Sequence, residues 1–319
     1  MDRFERSSGP FVRSKVLGWV CSASGIGNGT SGNGTAKCRL RMKVLYDGTN
    51  FQGWQAQTRK GARSVQGVLQ EAVSTRFQKP TQVVGASRTD SGVHALGQVA
   101  HFDVDEFQDE EQIVRVQFAL NRMLAADVRV TDMEVARPPT GKESTLPFHA
   151  IFDSRGKVYS YSFQLGRFVN PLERQRRALQ WQKCDLNLLA EALDKFVGTH
   201  DFTSFANRAN KGVAAVQPVK CIRSIELVDE GQGAFRVQFD LDGALHRMLR
   251  NVMGMSFAVA SKRYSLDDID ELFALKDRRK VPKAADACGL CLEKVYYDTI
   301  WHQQHQPSSL GELTNPFEV

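Results

Sequence analysis

From Arg39 onward, apolar residues recur at two different periods, and segments of the two kinds alternate along the chain. Leu40, Met42, Val44 and Tyr46 stand at every second position among Arg39, Arg41 and Lys43. That alternation predicts a strand buried on one face. Val65, Val68, Leu69, Ala72 and Val73 follow helical spacing instead, behind Ser64, whose hydroxyl can cap a helix. Thr81 to Val84 reads as a short strand, and Ala100, Phe102 and Val104 mark another. Ile113, Val116, Leu120 and Leu124 form a second helical stripe, followed by a strand around Val128 to Val130.

Pro138, Pro139, Gly141 and Pro147 then break the chain. Beyond them Tyr159, Tyr161, Phe163 and Leu165 alternate on a strand. Asp185 caps a helix carrying Leu189, Ala192, Leu193 and Phe196, which Gly198 ends. Cys221 to Val228 and Phe235 to Leu241 are strands, with Gly231 and Gly233 supplying the hairpin between them. A helix is expected from about Ala244, a short one from Ser265, and a last strand over Leu292 to Tyr296. Strand, helix, strand, run twice with antiparallel hairpins, predicts an α+β fold with helices packed on sheet faces. The chain divides into an extension (1–38), two α+β halves (39–145 and 146–300) and a polar tail (301–319).

Hydrophobic residues make up 42% of the 319, enough to bury a core, and the formal charge of +6 favours a polyanionic partner such as RNA, DNA or an anionic membrane. Arg174, Arg176 and Arg177, Arg208 with Lys211, and Arg278, Arg279 and Lys280 are candidate phosphate contacts, or solvated surface. The six cysteines follow no secreted framework, which points to a reducing, intracellular compartment. Cys288 and Cys291 form a lone CxxC, with no second pair to complete a zinc site. No apolar run reaches the length of a membrane span. The first 38 residues contain the Gly/Ser/Asn stretch Ser22 to Thr35 and the cations Arg3, Arg6, Arg13 and Lys15. They read either as an organelle transit peptide or as a plain disordered extension.

The densest polar cluster is the loop Gly85 to Gly97, containing Ser87, Arg88, Thr89, Asp90, Ser91, Gly92 and His94. Arg88 and Asp90 put a cation and a carboxylate in one small site, an arrangement suited to nucleophilic work or simply to a solvated loop.

The run from Arg88 to Ala95 resembles GRTDAGVHA, the signature of the TruA family of tRNA pseudouridine synthases, with Ser87 and Ser91 as small replacements. Further matches follow in order. They are Tyr46-Asp47-Gly48, Phe51 to Gln55, Ser64-Val65-Gln66, Phe148-His149-Ala150, Lys157 to Tyr161, Asp201 to Phe205 and His246 to Gly254. Gly289-Leu290-Cys291-Leu292 is similar to the family's GLYL, with Cys291 in place of Tyr. The resemblance spans about residues 39–298.

That resemblance implies a pseudouridine synthase fold, with a continuous, mostly antiparallel sheet built from the two halves and the active site in the cleft between them. It implies isomerisation of uridine to pseudouridine in the tRNA anticodon stem-loop. The partners would be tRNA and a second copy of the chain, in the cytoplasm, nucleus or an organelle. No cofactor or metal is needed, and no P-loop or dinucleotide motif is present. By position, Asp90 matches the essential carboxylate, which attacks either the uracil ring or the ribose. Arg250 matches its arginine partner, and Tyr159 the tyrosine that stacks on the base. Arg88 matches the residue that displaces the nucleotide, and Leu290 an apolar contact to uracil. Thr89 and His94 complete the substrate-binding set.

Read without the resemblance, Tyr159 is a core residue, Arg250 a helix-surface arginine and His94 a loop-ordering hydrogen bonder. A neutral phenol is also a poor base, so a proton-removing Tyr159 requires help from its neighbours. A synthase acting on another RNA and a non-catalytic RNA-binding protein on the same fold are the alternatives.

Overall fold

The computed structural model describes residues 38–57, 61–105, 110–137, 147–207 and 217–297. The N-terminal extension, most of the proline-rich break, Arg208, Lys211 and the polar tail lie outside the described residues.

In chain order the elements are β1 (Cys38–Tyr46), α1 (Val65–Phe77), β2 (Val84–Gly85), β3 (His94–Val104), α2 (Glu110–Met123) and β4 (Val128–Val135). Then come β5 (Gly156–Leu165), β6 (Ala178–Gln180), α3 (Leu186–Asp194), β7 (Gly198–Asp201), β8 (Val219–Gly231) and β9 (Ala234–Leu241). The last are α4 (Met248–Ala260), α5 (Asp267–Leu275) and β10 (Leu290–Tyr296).

All ten strands join one sheet, in the order β4-β1-β3-β10-β5-β9-β8-β7, with β2 beside β3 and β6 beside β5. The expected α+β sheet is present, and its seam is closed by the last strand. β10 runs parallel to β3 (Cys291 opposite His94) and antiparallel to β5 (Leu290 opposite Tyr161, Leu292 opposite Tyr159). It therefore ties the strands of residues 38–135 to those of 156–241.

The local signals act as anticipated where they are self-contained. Ser64 accepts from the Gly67 amide at 3.2 Å and Asp185 from the Leu188 amide at 3.2 Å, each satisfying a donor at a helix start. Gly231 and Gly233 both take positive φ at the β8–β9 hairpin.

Several boundaries differ from expectation. β3 begins at His94, inside the expected loop, because pairing with β1 and β10 recruits His94 and Ala95. Of the expected strand Thr81 to Val84 only Val84 finds a partner on β3, joined by Gly85 from the expected loop. α3 ends at Asp194, and Gly198 opens β7 at φ +108°. α4 starts at Met248, not Ala244. Arg247 sits at φ 60°, and the His246 carbonyl accepts from the Asn207 amide at 2.9 Å.

α4 lies deepest. Of its 13 residues all but Arg250 are buried, and Phe257 packs edge-on against Tyr161 and Phe163 of β5. Each such aromatic removed from water contributes roughly 1.5–3 kcal/mol. This packing fixes α4 over the sheet face that carries Tyr159, Tyr161 and Phe163, and it aims Arg250 back at the loop before β3.

Candidate active site

The loop holding Asp90 rests on the segment 47–54. Asp47 caps a 3-10 turn at Gly48–Asn50, accepting from the Thr49 amide at 3.0 Å. The Trp54 amide then donates to the Thr89 carbonyl at 3.1 Å, while the Phe51 carbonyl accepts from Ser91 Oγ at 3.1 Å. The approach is too close for side chains. A Cβ on Gly53 would lie 2.6 Å from the Thr89 oxygen, and one on Gly48 2.0 Å from the Val93 oxygen. The loop turns back where Val93 N donates to the Asp90 carbonyl at 3.2 Å, with Gly92 at φ +79°, a conformation that favours glycine.

Upstream, the fully buried Gln98 grips both backbone groups of Ser87. Its oxygen accepts from Ser87 N at 3.1 Å and its amide donates to Ser87 O at 2.7 Å. The hydroxyl of Thr89 is engaged by Tyr46 at 2.7 Å.

Asp90 meets a guanidinium and an imidazole. Arg250 Nη1 stands 3.2 Å from its Oδ2 and His246 Nε2 3.4 Å from its Oδ1. The Asp90 and Arg250 side chains are only 15% and 12% exposed, so each charge depends on the other for compensation. The guanidinium is fixed from behind by its Nε, which donates to the Ala285 carbonyl at 2.9 Å, while the Ala285 amide returns a bond to Arg250 O. One turn along α4, a Cβ on Gly254 would lie 2.2 Å from the Lys283 carbonyl, so that segment lies directly on the helix.

The start of α4 is held by Arg278. It donates to Asn251 Oδ1 at 2.8 Å, Asn207 Oδ1 at 3.2 Å and the Val281 carbonyl at 2.8 Å. Asn251, fully buried, donates to the Phe205 carbonyl at 2.7 Å.

Tyr159 is buried, with its hydroxyl 2.8 Å from Ser87 Oγ. Burial pushes the phenol up to about 12; the Ser87 bond opposes the shift and the nearby Asp90 charge adds to it. Leu290 is buried beside Tyr161 across the β5–β10 ladder. Arg88 is exposed next to Asp90 and has no hydrogen-bond or ion-pair partner among the described residues. Asp90, Arg250 and Tyr159 are thus brought together, with Arg88 at the rim.

His94 is not brought to them. In the β3–β10 register it stands opposite Cys291, on the sheet face turned away from Tyr159. It lines a groove of ≈520 Å³ there with Ser160, Cys291 and Glu293. Its Nδ1 accepts from the Gly48 amide at 3.0 Å, and burial holds the ring's proton affinity below the usual value, against the pull of Asp47. Cys291, the departure from GLYL, therefore lies on the opposite face of the sheet from Tyr159. Burial pushes both its thiol and that of Cys288 up. No group of three or more His, Cys, Asp or Glu side chains among the described residues could hold a metal.

Several expected phosphate contacts are committed within the protein. Arg177 pairs with Glu173 and Glu230, Arg279 with Asp277, and Arg278 holds α4.

Sequence reasoning missed His246 beside Asp90, Ser87 beside Tyr159, and Lys157, whose Nζ lies 3.4 Å from Ser87 Oγ. His246 was read as one face of a helix that begins two residues later. Ser87 adjoins Arg88, and Lys157 precedes Tyr159 by two on the same strand face, which was the available signal.

A family model described as "tRNA pseudouridine synthase" matches residues 42–138 and 192–298. "tRNA pseudouridine synthase A 1" of Protochlamydia amoebophila is 38% identical over 259 residues, 81% of this chain and 96% of that protein. "tRNA pseudouridine synthase A" of Solidesulfovibrio magneticus is 37% identical, covering 81% and 91%. The protein of that name from Latilactobacillus sakei is 35% identical, covering 81% and 98%. A chain of the "Crystal Structure of a Cbf5-Nop10-Gar1 Complex" aligns at TM-score 0.28 and 10% identity over 69% of this chain and 54% of that one, too slight a likeness to bear on the fold. The matched segments enclose Asp90 and Arg250, the two charges that the fold pairs, and the chain belongs to the TruA family of tRNA pseudouridine synthases.

Proposed function

We propose that this protein isomerises uridine to pseudouridine in the anticodon stem-loop of tRNA, with Asp90 as the nucleophilic carboxylate. The observation that carries the reading is the ion pair of Asp90 with Arg250, 160 residues apart in sequence, beside a buried tyrosine. The relatives' printed names supply the tRNA.

The chemistry requires the base to leave its stack, part from the ribose at N1, rotate and rejoin through C5. Arg88, exposed and unpaired at the rim, would occupy the space of the displaced nucleotide. Asp90 would attack with Arg250 holding the carboxylate in line, so that little reorganisation is needed as charge moves. Tyr159 would stack on the uracil and Leu290 would pack against it, while the buried Thr89 keeps the loop in shape from below. The halves 39–145 and 146–300 would form the walls of the cleft, the first bringing Asp90 and the second Tyr159, Arg250 and Leu290. The family resemblance supports a homodimer with tRNA contacting both copies.

The test is tritium release from C5-labelled uridine in unmodified tRNA, with chelator present. Wild-type protein is expected to release label and Asp90→Asn none. Release by both would show that another carboxylate does the work, and release by neither would move the substrate to another RNA or remove the activity.

A further inference from the structure

In the reaction proposed above, C5 must lose a proton once it is bonded to the ribose, and the oxygen of Tyr159, the residue read as stacking on the uracil, already carries one. The side chains behind it offer that proton a route. Ser87 Oγ lies 2.8 Å from the Tyr159 hydroxyl and 3.4 Å from Lys157 Nζ, which also donates to the Ala86 carbonyl at 3.0 Å. Lys157 and Tyr159 are two apart on β5 and face the same side, so the order Tyr159–Ser87–Lys157 follows from the pleat. Ser87 can donate and accept at once, and Gln98 holds its backbone in place through two bonds.

Lys157 makes no ion pair among the described residues. The charged groups that bear on it are Lys220 of β8, which disfavours its charge, and Asp242 beyond β9, which favours it. Burial outweighs both and brings the amine down to about 8. A large share of neutral amine is therefore present at mildly alkaline pH. The Tyr159 hydroxyl meets Ser87, while Asp90 of the loop, Tyr46 of β1 and, from the far face of β10, Cys291 bear on it only through space. None of these besides Ser87 leads the proton onward to an amine. A purely structural lysine would need only the Ala86 carbonyl; the approach to Ser87 is what such a role leaves unexplained.

Resting on the reading of this site as a pseudouridine synthase, we infer that Lys157 is a positioning residue at the end of a proton relay from the Tyr159 hydroxyl through the Ser87 hydroxyl. The C5–H bond breaks, and its electron pair forms the C5–C6 double bond. The N1–C6 double-bond pair falls back onto N1, which takes a proton from water. The C5 proton moves to the Tyr159 oxygen, the phenol proton to Ser87 Oγ, and the Ser87 proton to the neutral Lys157 amine, which later returns it to water. Because the three transfers are coupled, no free phenolate accumulates in a pocket that resists one.

The experiment is single-turnover pseudouridine formation on tRNA across pH 6–10 (about the range around the lysine transition) for wild type, Lys157→Arg, Lys157→Met and Ser87→Ala. Each is run on tRNA with protium and with deuterium at uridine C5. Wild type is expected to gain rate through a transition near pH 8. The variants should lose roughly 10- to 100-fold at the plateau, lose that transition, and show a C5 isotope effect larger than wild type. Ser87→Ala leaves the lysine in place, so it tests the relay even if a Lys157 variant folds poorly.

Variants with the wild-type rate and profile would overturn the relay. So would a loss of rate with the transition intact and no added isotope effect, since that is a packing defect. A wild-type protein inert on tRNA would overturn the parent reading and this one with it, whereas an active wild type with an unaltered Ser87→Ala overturns the relay alone.

Discussion

Gly53→Ala tests whether the Asp90 loop is positioned by the backbone beneath it. Gly53 stands at φ +94°, and its added methyl would meet the Thr89 oxygen at 2.6 Å, the Asp90 carbonyl carbon at 3.2 Å and Ser91 N at 3.3 Å. The neighbours are backbone atoms, so no flexible side chain can swing away. Restoring an ordinary 3.4 Å contact moves the Thr89–Asp90 peptide by roughly 0.8 Å. The dihedral itself costs about 1–2 kcal/mol for a residue with a Cβ, and displacement of a catalytic group by about 1 Å costs up to about 100-fold in rate. Gly61 is the internal control: it also has positive φ, at +83°, but an added Cβ there meets nothing within 4 Å. Gly61→Ala should therefore lose about 1 kcal/mol of stability and keep the wild-type rate. Gly53→Ala should unfold at lower temperature and release tritium roughly 30- to 100-fold more slowly. The assays are thermal denaturation and single-turnover label release. Equal rates for the two alanine variants would refute the idea that this contact sets the position of Asp90.

Arg250→Lys should lose roughly 100-fold in single-turnover rate, because one ammonium cannot serve both the Ala285 carbonyl and Asp90; a wild-type rate would remove the two-sided clamp. Cys291→Ser should leave the rate within about 2-fold, since the side chain faces away from Tyr159, and a large loss would put Cys291 in contact with substrate. Arg278→Ala should cost about 1–3 kcal/mol in urea unfolding, because it strips a partner from the fully buried Asn251; an unchanged urea midpoint would count against that network. Acid should destabilise the fold through His101, whose buried ring is held down to about 4 and whose Nδ1 accepts from the Ala150 amide at 3.1 Å. With the folded value below the unfolded one near 6.5, this contribution is whole above about pH 6.5 and is lost as pH falls towards 4. Urea midpoints of wild type and His101→Gln should converge over that window, and parallel curves would show that His101 plays no part.

Local signals in this chain were legible wherever a few adjacent residues satisfy one another. Ser64 and Asp185 cap their helices from the positions their chemistry suggests, and β1 alternates as its residues do. The same reading placed α4 four residues too early, because the apolar stripe continues through Leu245 while the His246 carbonyl is taken by Asn207. It also left His94 and Ala95 in a loop, since the strands that recruit them lie about 50 residues before and 200 residues after in the chain. The significance of Cys291 could have been settled from alternation alone: if Leu290 and Leu292 face Tyr161 and Tyr159, the residue between them cannot.

Order within each element was present in the sequence itself, because hydrophobic period and capping are short-range properties, and the resemblance of their motifs to a known family singled out Asp90, Arg250 and Tyr159. Which residues touch was decided by tertiary structure alone. β10 had to close the seam between β3 and β5, and α4 had to bury itself over β5, before Arg250 could reach Asp90 and Ser87 could stand between Tyr159 and Lys157. Contacts between distant segments arise from the joint packing of whole elements, and no local stretch of sequence carries that information.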